Sequence, residues 1–143
     1  MTILSSETLH ASCVAIGGRA VLIEGLSGSG KSDLALRLID RGAVLVSDDY
    51  TIVRRSTGTL TASAPPNITG LLEVRGIGLV ALPFESDVAV ALMVSISDDV
   101  ERLPDDSNTR LIAGIAVPLG LVKPLEASAP IKVEMMLKAR GLS

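Results

Sequence analysis

The residues Gly25-Leu26-Ser27-Gly28-Ser29-Gly30-Lys31-Ser32 follow the spacing G-x-x-x-x-G-K-[ST], and each residue type serves phosphate chemistry. Glycines let the backbone curl until successive N–H groups point at phosphate oxygens, Lys31 brings an exposed loop cation to the β- and γ-phosphates, and Ser32 offers a hydroxyl to Mg²⁺. A Gly/Ser-rich stretch of this length also makes an ordinary flexible turn, so the flanks decide. Ahead of it, Arg19-Ala20-Val21-Leu22-Ile23-Glu24 reads as a buried strand; behind it, Leu34, Ala35, Leu38 and Ile39 recur at helical spacing. Strand, loop and helix come in the order phosphate binding requires, and the helix adds the positive end of its dipole.

A second chemical feature is Asp48-Asp49, at the end of the apolar run Ala43 to Ser47. An acid there reaches a nucleotide-bound cation, and a neighbouring acid can take the proton of a nucleophile. Adjacent residues at a strand end face opposite ways, so two roles fit better than two identical ligands. Asp48 is assigned to the metal shell and Asp49 to general-base work, with the reverse assignment open; without the phosphate loop, the pair would read as the start of a turn. Glu73, the lone acid in Leu71-Leu72-Glu73-Val74, would be satisfied equally by a metal or by a salt bridge to Arg75. Arg54, Arg55, Arg75, Arg102 and Arg110 could each clamp developing phosphate charge, and spacing does not choose among them.

The elements that must position these groups are short. Ser12 to Ile16 and Arg19 to Glu24 read as strands joined at Gly17-Gly18 by a tight turn. A helix is predicted from Lys31 to Asp40, stopping at Gly42. Further strands are predicted at Tyr50 to Arg55, Thr59 to Ala64 and Val88 to Ile96. Pro65-Pro66-Asn67 reads as a break, Leu71 to Gly78 as one apolar segment closed by glycines, and the Pro118 to Pro124 segment precedes the last helix. Ser97 to Asn108 reads as an acidic, solvated loop around Arg102, and a last helix runs from Ile131 to Arg140.

Composition narrows the classes. A chain of 143 residues suits one α/β domain. With one Tyr, one Phe, no Trp and a net charge of −3, base-stacking platforms and a basic stripe for nucleic acid are lacking. The single Cys13, in an apolar run, excludes an internal disulfide and reads as a core residue. No apolar run approaches a membrane span and no export signal opens the chain, so the cytoplasm is expected and a membrane partner is not.

Together, His10, the loop Gly25 to Ser32, Arg41-Gly42-Ala43-Val44-Leu45-Val46-Ser47-Asp48-Asp49 and Leu71-Leu72-Glu73-Val74-Arg75-Gly76-Ile77-Gly78 resemble the catalytic domain of HPr kinase/phosphorylase. The match runs from about His10 to Arg102, and its Leu-Leu-Glu-Val-Arg-Gly-Ile-Gly segment is more discriminating than the widely shared phosphate loop. The resemblance implies an ATP- and Mg²⁺-dependent kinase that phosphorylates a serine of the phosphocarrier HPr, in regulation of the phosphotransferase system. It implies ATP on Gly25, Leu26, Ser27, Gly28, Ser29, Gly30, Lys31 and Ser32, Mg²⁺ on Ser32 and Glu73, proton acceptance by Asp49, and active-site roles for His10 and Arg102. His10 has no other claim than the family, since a single His there is more often a surface residue.

The fold implied is a phosphate-loop core on a mixed β-sheet, similar to the nucleotide core of phosphoenolpyruvate carboxykinases. The family forms hexamers, so a homo-oligomer is expected. The long form carries a further N-terminal domain, so the resemblance is to the short form, the catalytic domain alone. Where the family has a Gly-Arg pair serving phosphorolysis, this chain has Lys123-Pro124-Leu125-Glu126-Ala127-Ser128-Ala129-Pro130, which puts the reverse reaction in greater doubt than the kinase reaction. The alternatives are a small-metabolite kinase using the same loop and a nucleotide-sensing module that transfers nothing. Lack of an evident lid insertion counts against the first, and retention of Asp48 and Asp49 against the second.

Overall fold

In the computed structural model, residues 5–98 and 108–143 are described. Eleven strands and two α-helices occur among them: β1 (Ser6–Leu9), β2 (Ala11–Ile16), β3 (Arg19–Glu24), α1 (Lys31–Asp40), β4 (Val44–Ser47), β5 (Thr51–Ser56), β6 (Thr59–Ser63), β7 (Leu71–Val74), β8 (Gly78–Ala81), β9 (Val88–Ile96), β10 (Thr109–Ile112), β11 (Ile115–Val122) and α2 (Ala129–Arg140). One mixed sheet of nine strands runs β1-β5-β6-β9-β3-β2-β4, with β11 joined to β9 and β10 to β11, while β7 and β8 form a separate hairpin. The α/β expectation holds, as do the predicted turn at Gly17-Gly18 and the helix after the phosphate loop.

Strand alternation divides the apolar residues between two cores. Val14, Val21, Ile23, Leu92 and Val94 pack against Leu34, Ala35 and Leu38 of α1 and Val133 and Leu137 of α2. Cys13, Ala15, Ala20, Leu22 and Met93 pack on the other face with Val53, Leu60 and Ala62, where β5 and β6 curl over the sheet. The β3–β9 register steps from Ala20↔Val90 to Val21↔Leu92, leaving Ala91 as the extra residue of a bulge. Consequently Ala91 and Leu92 both belong to the helix-side core, and the Ala91 carbonyl accepts the Leu142 N–H, holding the C-terminal residues beside the sheet.

Two predictions are corrected, and strands appear where none was predicted. Leu71 to Gly78 is not one segment: β7 turns through 75–77 into β8, with Val74 opposite Gly78. The Pro118 to Pro124 stretch largely continues as strand, because Pro118 lies where β11 pairs only with β10, opposite Thr109, and the ladder to β9 begins at Leu119. A proline at that edge removes no donor from the central ladder. Strand β1, absent from the sequence reading, pairs antiparallel with β5. Helix α2 begins at Ala129, two residues early, with Pro130 in its first turn, where a missing N–H costs nothing.

Candidate active site

The loop 25–30 leaves the end of β3 and turns into α1 through Gly30, whose φ of 107° is closed to most L side chains. Two close approaches fix its glycines. A Cβ on Gly25 would lie 2.5 Å from Ser29 Oγ, and one on Gly30 would lie 3.2 Å from Pro124 Cβ. No side chain caps α1, so its first-turn N–H groups stay free for an anion at the positive end of the helix.

Lys31 departs from expectation. Its side chain is 4% exposed rather than open to solvent, and Nζ donates to the carbonyls of Gly25 (2.9 Å) and Leu26 (3.2 Å). Burying an ammonium requires such partners. Here the lysine closes the loop on itself, with Asp49 Oδ1 3.6 Å away.

Asp48 and Asp49 take different surroundings because the chain turns sharply between them. Tyr50 N–H donates to Asp48 O at 2.7 Å across Asp49, whose φ is +65°. Such a φ is rare outside glycine, although Asp tolerates it better than most residues, and it is characteristic of residues held for function. Asp48 is buried. Its Oδ1 accepts from Ser12 Oγ (3.0 Å) and Ser32 Oγ (2.6 Å), and Oδ2 accepts from the Glu73 N–H (3.0 Å). Because Ser32 donates its proton to Asp48, its oxygen lone pairs remain for a cation. Asp49 is half-exposed. Its Oδ1 faces His10 Nε2 at 2.9 Å and Lys31, while Oδ2 has no protein partner among the described residues. A carboxylate can only accept, so His10 carries its proton on Nε2 in this pair.

The structure thus brings His10, Lys31, Ser32, Asp48 and Asp49 together. Glu73 arrives by its backbone; Leu72 points into the helix-side core, so alternation sends the Glu73 side chain outward. It forms no ion pair with Arg75 among the described residues and is exposed, so its carboxylate is open to solvent. Arg102 lies outside the described residues. Arg110 is held by Glu24 in a two-pronged pair (2.8 and 2.6 Å) that raises its pKa through the hydrogen bond to Glu24. That pair walls a cleft of about 260 Å³ that also reaches His10 and is floored by Ala11 and Met93.

Three residues escaped the sequence reading. Ser12 bridges both acids, donating to Asp48 and accepting the Asp49 N–H at 3.0 Å; a fully buried hydroxyl in the apolar strand Ala11–Ile16 was its only signal. Tyr50 stacks on His10. Arg37 donates to the carbonyls of Pro124 and Glu126, tying the loop over Gly30 to α1. Nothing in the spacing of Tyr50 or Arg37 marks them.

The donor set suits a magnesium nucleotide. Mg²⁺ keeps several waters and is bound through one or two carboxylates plus phosphates, and the carboxylates of Asp48 and Glu73 with the Ser32 hydroxyl are oxygen donors of that kind. No cluster of three or more His, Cys, Asp or Glu that could cage a metal alone occurs among the described residues. Among those residues, too, no helix is long and apolar enough to cross a membrane.

Residues 2–136 match the family model of the HPr serine kinase C-terminal domain. An HPr kinase/phosphorylase of Clostridium botulinum (strain Eklund 17B / Type B) is 50% identical over 78 residues, covering 54% of this chain and 26% of its own length. One from Lacticaseibacillus casei (strain BL23) is 32% identical over 140 residues, covering 89% and 42%. The chain therefore spans less than half the length of these curated relatives. The solved HPr(Ser) kinase/phosphatase from Coxiella burnetii superposes with a TM-score of 0.79 at 30% identity, over 92% of this chain and 94% of that one. With the phosphate loop, the paired acids and the mixed sheet in agreement, the chain belongs to the HPr serine kinase C-terminal domain family.

Proposed function

We propose that the protein is an ATP- and Mg²⁺-dependent kinase that phosphorylates a serine of the phosphocarrier HPr in the cytoplasm, working as a homo-oligomer. The observation that carries this reading is the Asp49 carboxylate, held by His10 and Lys31 through one oxygen and open at the other, beside the phosphate loop. A regulatory nucleotide sensor has no use for an oriented, half-exposed base.

Loop N–H groups and the α1 terminus bind the phosphates, and Lys31 shifts from the Gly25 and Leu26 carbonyls to the nucleotide. Asp48 orients the Ser32 hydroxyl, and Ser32, Asp48 and the Glu73 carboxylate would hold Mg²⁺, which when bound neutralises charge on the β- and γ-phosphates. The free Asp49 oxygen accepts the serine proton as the serine Oγ–P bond forms and the bond to the β–γ bridging oxygen breaks, releasing ADP. Arg102 is assigned to charge on the transferring group. Labelled ATP and purified HPr test the reading: acid-stable phosphoserine is expected, and its absence with bound nucleotide would establish a sensor instead.

Phosphorolysis is expected to be weak. An attacking inorganic phosphate needs added positive charge, yet Glu126 stands in that segment and takes up Lys132, Nζ to Oε2 2.5 Å, which lowers the Glu126 pKa through the hydrogen bond to Lys132. Breakdown of phospho-HPr measured against phosphate concentration checks this; a rate comparable to the forward one refutes it.

A further inference from the structure

We propose that Tyr50 is a positioning residue that holds the His10 imidazole on Asp49, an inference that rests on the phosphotransfer reading above. The two rings stack with centroids 5.0 Å apart and planes 19° from parallel, and His10 Nε2 meets Asp49 Oδ1 at 2.9 Å. Neither ring belongs to either core. His10 is 39% exposed and Tyr50 47%, so core packing does not set the imidazole torsions.

The backbone beneath both rings is fixed. Tyr50 N–H donates to Asp48 O, its carbonyl accepts from Ser47 Oγ, and the turn is the one that places Asp49 in the left-handed region. On the other side, Leu9 pairs with Thr51, and Thr51 Oγ1 donates to Ala11 O at 2.8 Å. Residues on both sides of His10 are thus tied to the residue after Tyr50. What stays adjustable is rotation of the imidazole, and an exposed hydrogen bond to a carboxylate restrains that weakly. The phenol supplies a flat surface on a rigid base, and an offset stack is the geometry aromatic pairs prefer. Among the described residues the Tyr50 side chain makes no hydrogen bond to the phosphate loop or to the Asp49 carboxylate, and its ring contact is with His10, so it acts through His10.

The chain contains one His and one Tyr, so each ring is an assigned spectroscopic probe without labelling schemes. The test compares the unmodified chain with Tyr50→Ala, Tyr50→Phe, His10→Ala and the double variant His10→Ala/Tyr50→Ala. Readouts are kcat and KM for ATP with an HPr acceptor, and the His10 Cε1–H resonance at one fixed pH near 8. Tyr50→Ala should lower kcat roughly three- to tenfold with KM for ATP unchanged, and move the His10 resonance as the ring current is lost. Tyr50→Phe keeps the stack and should keep kcat. The double variant should be no slower than His10→Ala alone, as expected for residues acting in series. Full kcat in Tyr50→Ala, equal loss in Tyr50→Phe, additive losses in the double variant, or an unmoved His10 resonance would each overturn the proposal. If the unmodified chain transfers no phosphoryl group, the kinase reading fails by itself, and the resonance still decides whether Tyr50 holds the imidazole.

Discussion

Replacing Asp48 separates its structural work from its proposed work on the cation. The buried carboxylate accepts three hydrogen bonds, from Ser12, Ser32 and the Glu73 N–H. Hydrogen bonds to a charged group contribute about 1.5–3 kcal/mol each and neutral ones about 0.5–1.5. In Asp48→Asn the amide oxygen can turn to the Glu73 N–H, which has no other rotamer to adopt, while the amide NH₂ donates to the two hydroxyls, which can reverse. All contacts survive in neutral form, so even at the lower end of those ranges the loss is about 3 kcal/mol. In Asp48→Ala all three bonds go, the Glu73 N–H is orphaned and a small void opens, so at least about 4.5 kcal/mol is lost. At roughly 2–4 °C per kcal/mol for a domain near this size, Asp48→Asn should melt about 6–12 °C below the unmodified protein and Asp48→Ala at least about 9–18 °C below. The assay is thermal melting with ATP in the presence and absence of Mg²⁺. The unmodified protein should gain more from ATP with Mg²⁺ than without, and both variants should lose most of that difference. Asp48→Ala melting within about 2 °C of the parent would refute the three-donor account, and an intact Mg²⁺ increment in Asp48→Asn would refute the metal assignment.

Three other outcomes follow from the geometry. Asp49→Asn keeps the shape of the side chain but cannot take a proton, so kcat should fall at least a hundredfold while nucleotide affinity, read by calorimetry, changes little; a matched loss of affinity would move the base elsewhere. Lys31→Met keeps the buried stem but removes the ammonium that bridges Gly25 and Leu26, so phosphotransfer should vanish and loop amides should exchange hydrogen faster, whereas near-normal turnover would sink the phosphate-loop assignment. Burial pushes the Cys13 thiol up, so at pH 8 a thiol reagent should label the folded chain only as fast as it opens; rapid stoichiometric labelling would contradict the core position.

The sequence was most legible where period and punctuation agree. Arg19–Glu24, the glycine loop and Lys31–Asp40 stand where apolar spacing puts them, since a strand, a glycine-rich turn and an amphipathic helix each leave a local pattern. Strand β11 drew no prediction: its Pro118 sits at an edge that only tertiary pairing defines, and no local signal marks a strand that carries a proline there. Ser6–Leu9 and Thr109–Ile112 are four-residue strands whose burial alternates weakly or not at all, too short for period to register. At the site, residue type identified Lys31, Ser32, Asp48 and Asp49 as candidates, but His10 had to be borrowed from the family. Its partner lies 39 positions away, and no local window contains that pairing. The buried state of Lys31 was likewise invisible, because it depends on a loop folding back on its own carbonyls.

The strand order has a kinetic consequence. Strand β3, which launches the phosphate loop, completes its parallel partner only with β9, where Ala20 meets Val90, while β1 waits for β5 and β9 itself waits for β11. A topology dominated by such distant pairings has a high contact order and folds slowly compared with helical chains of equal length. During synthesis, the apolar edge of β3 emerges well before its mate and must stay unpaired for the interval. The most exposed moment of this protein's life is therefore its own translation, when the strand that will carry the phosphate loop offers an open ladder to any neighbouring chain.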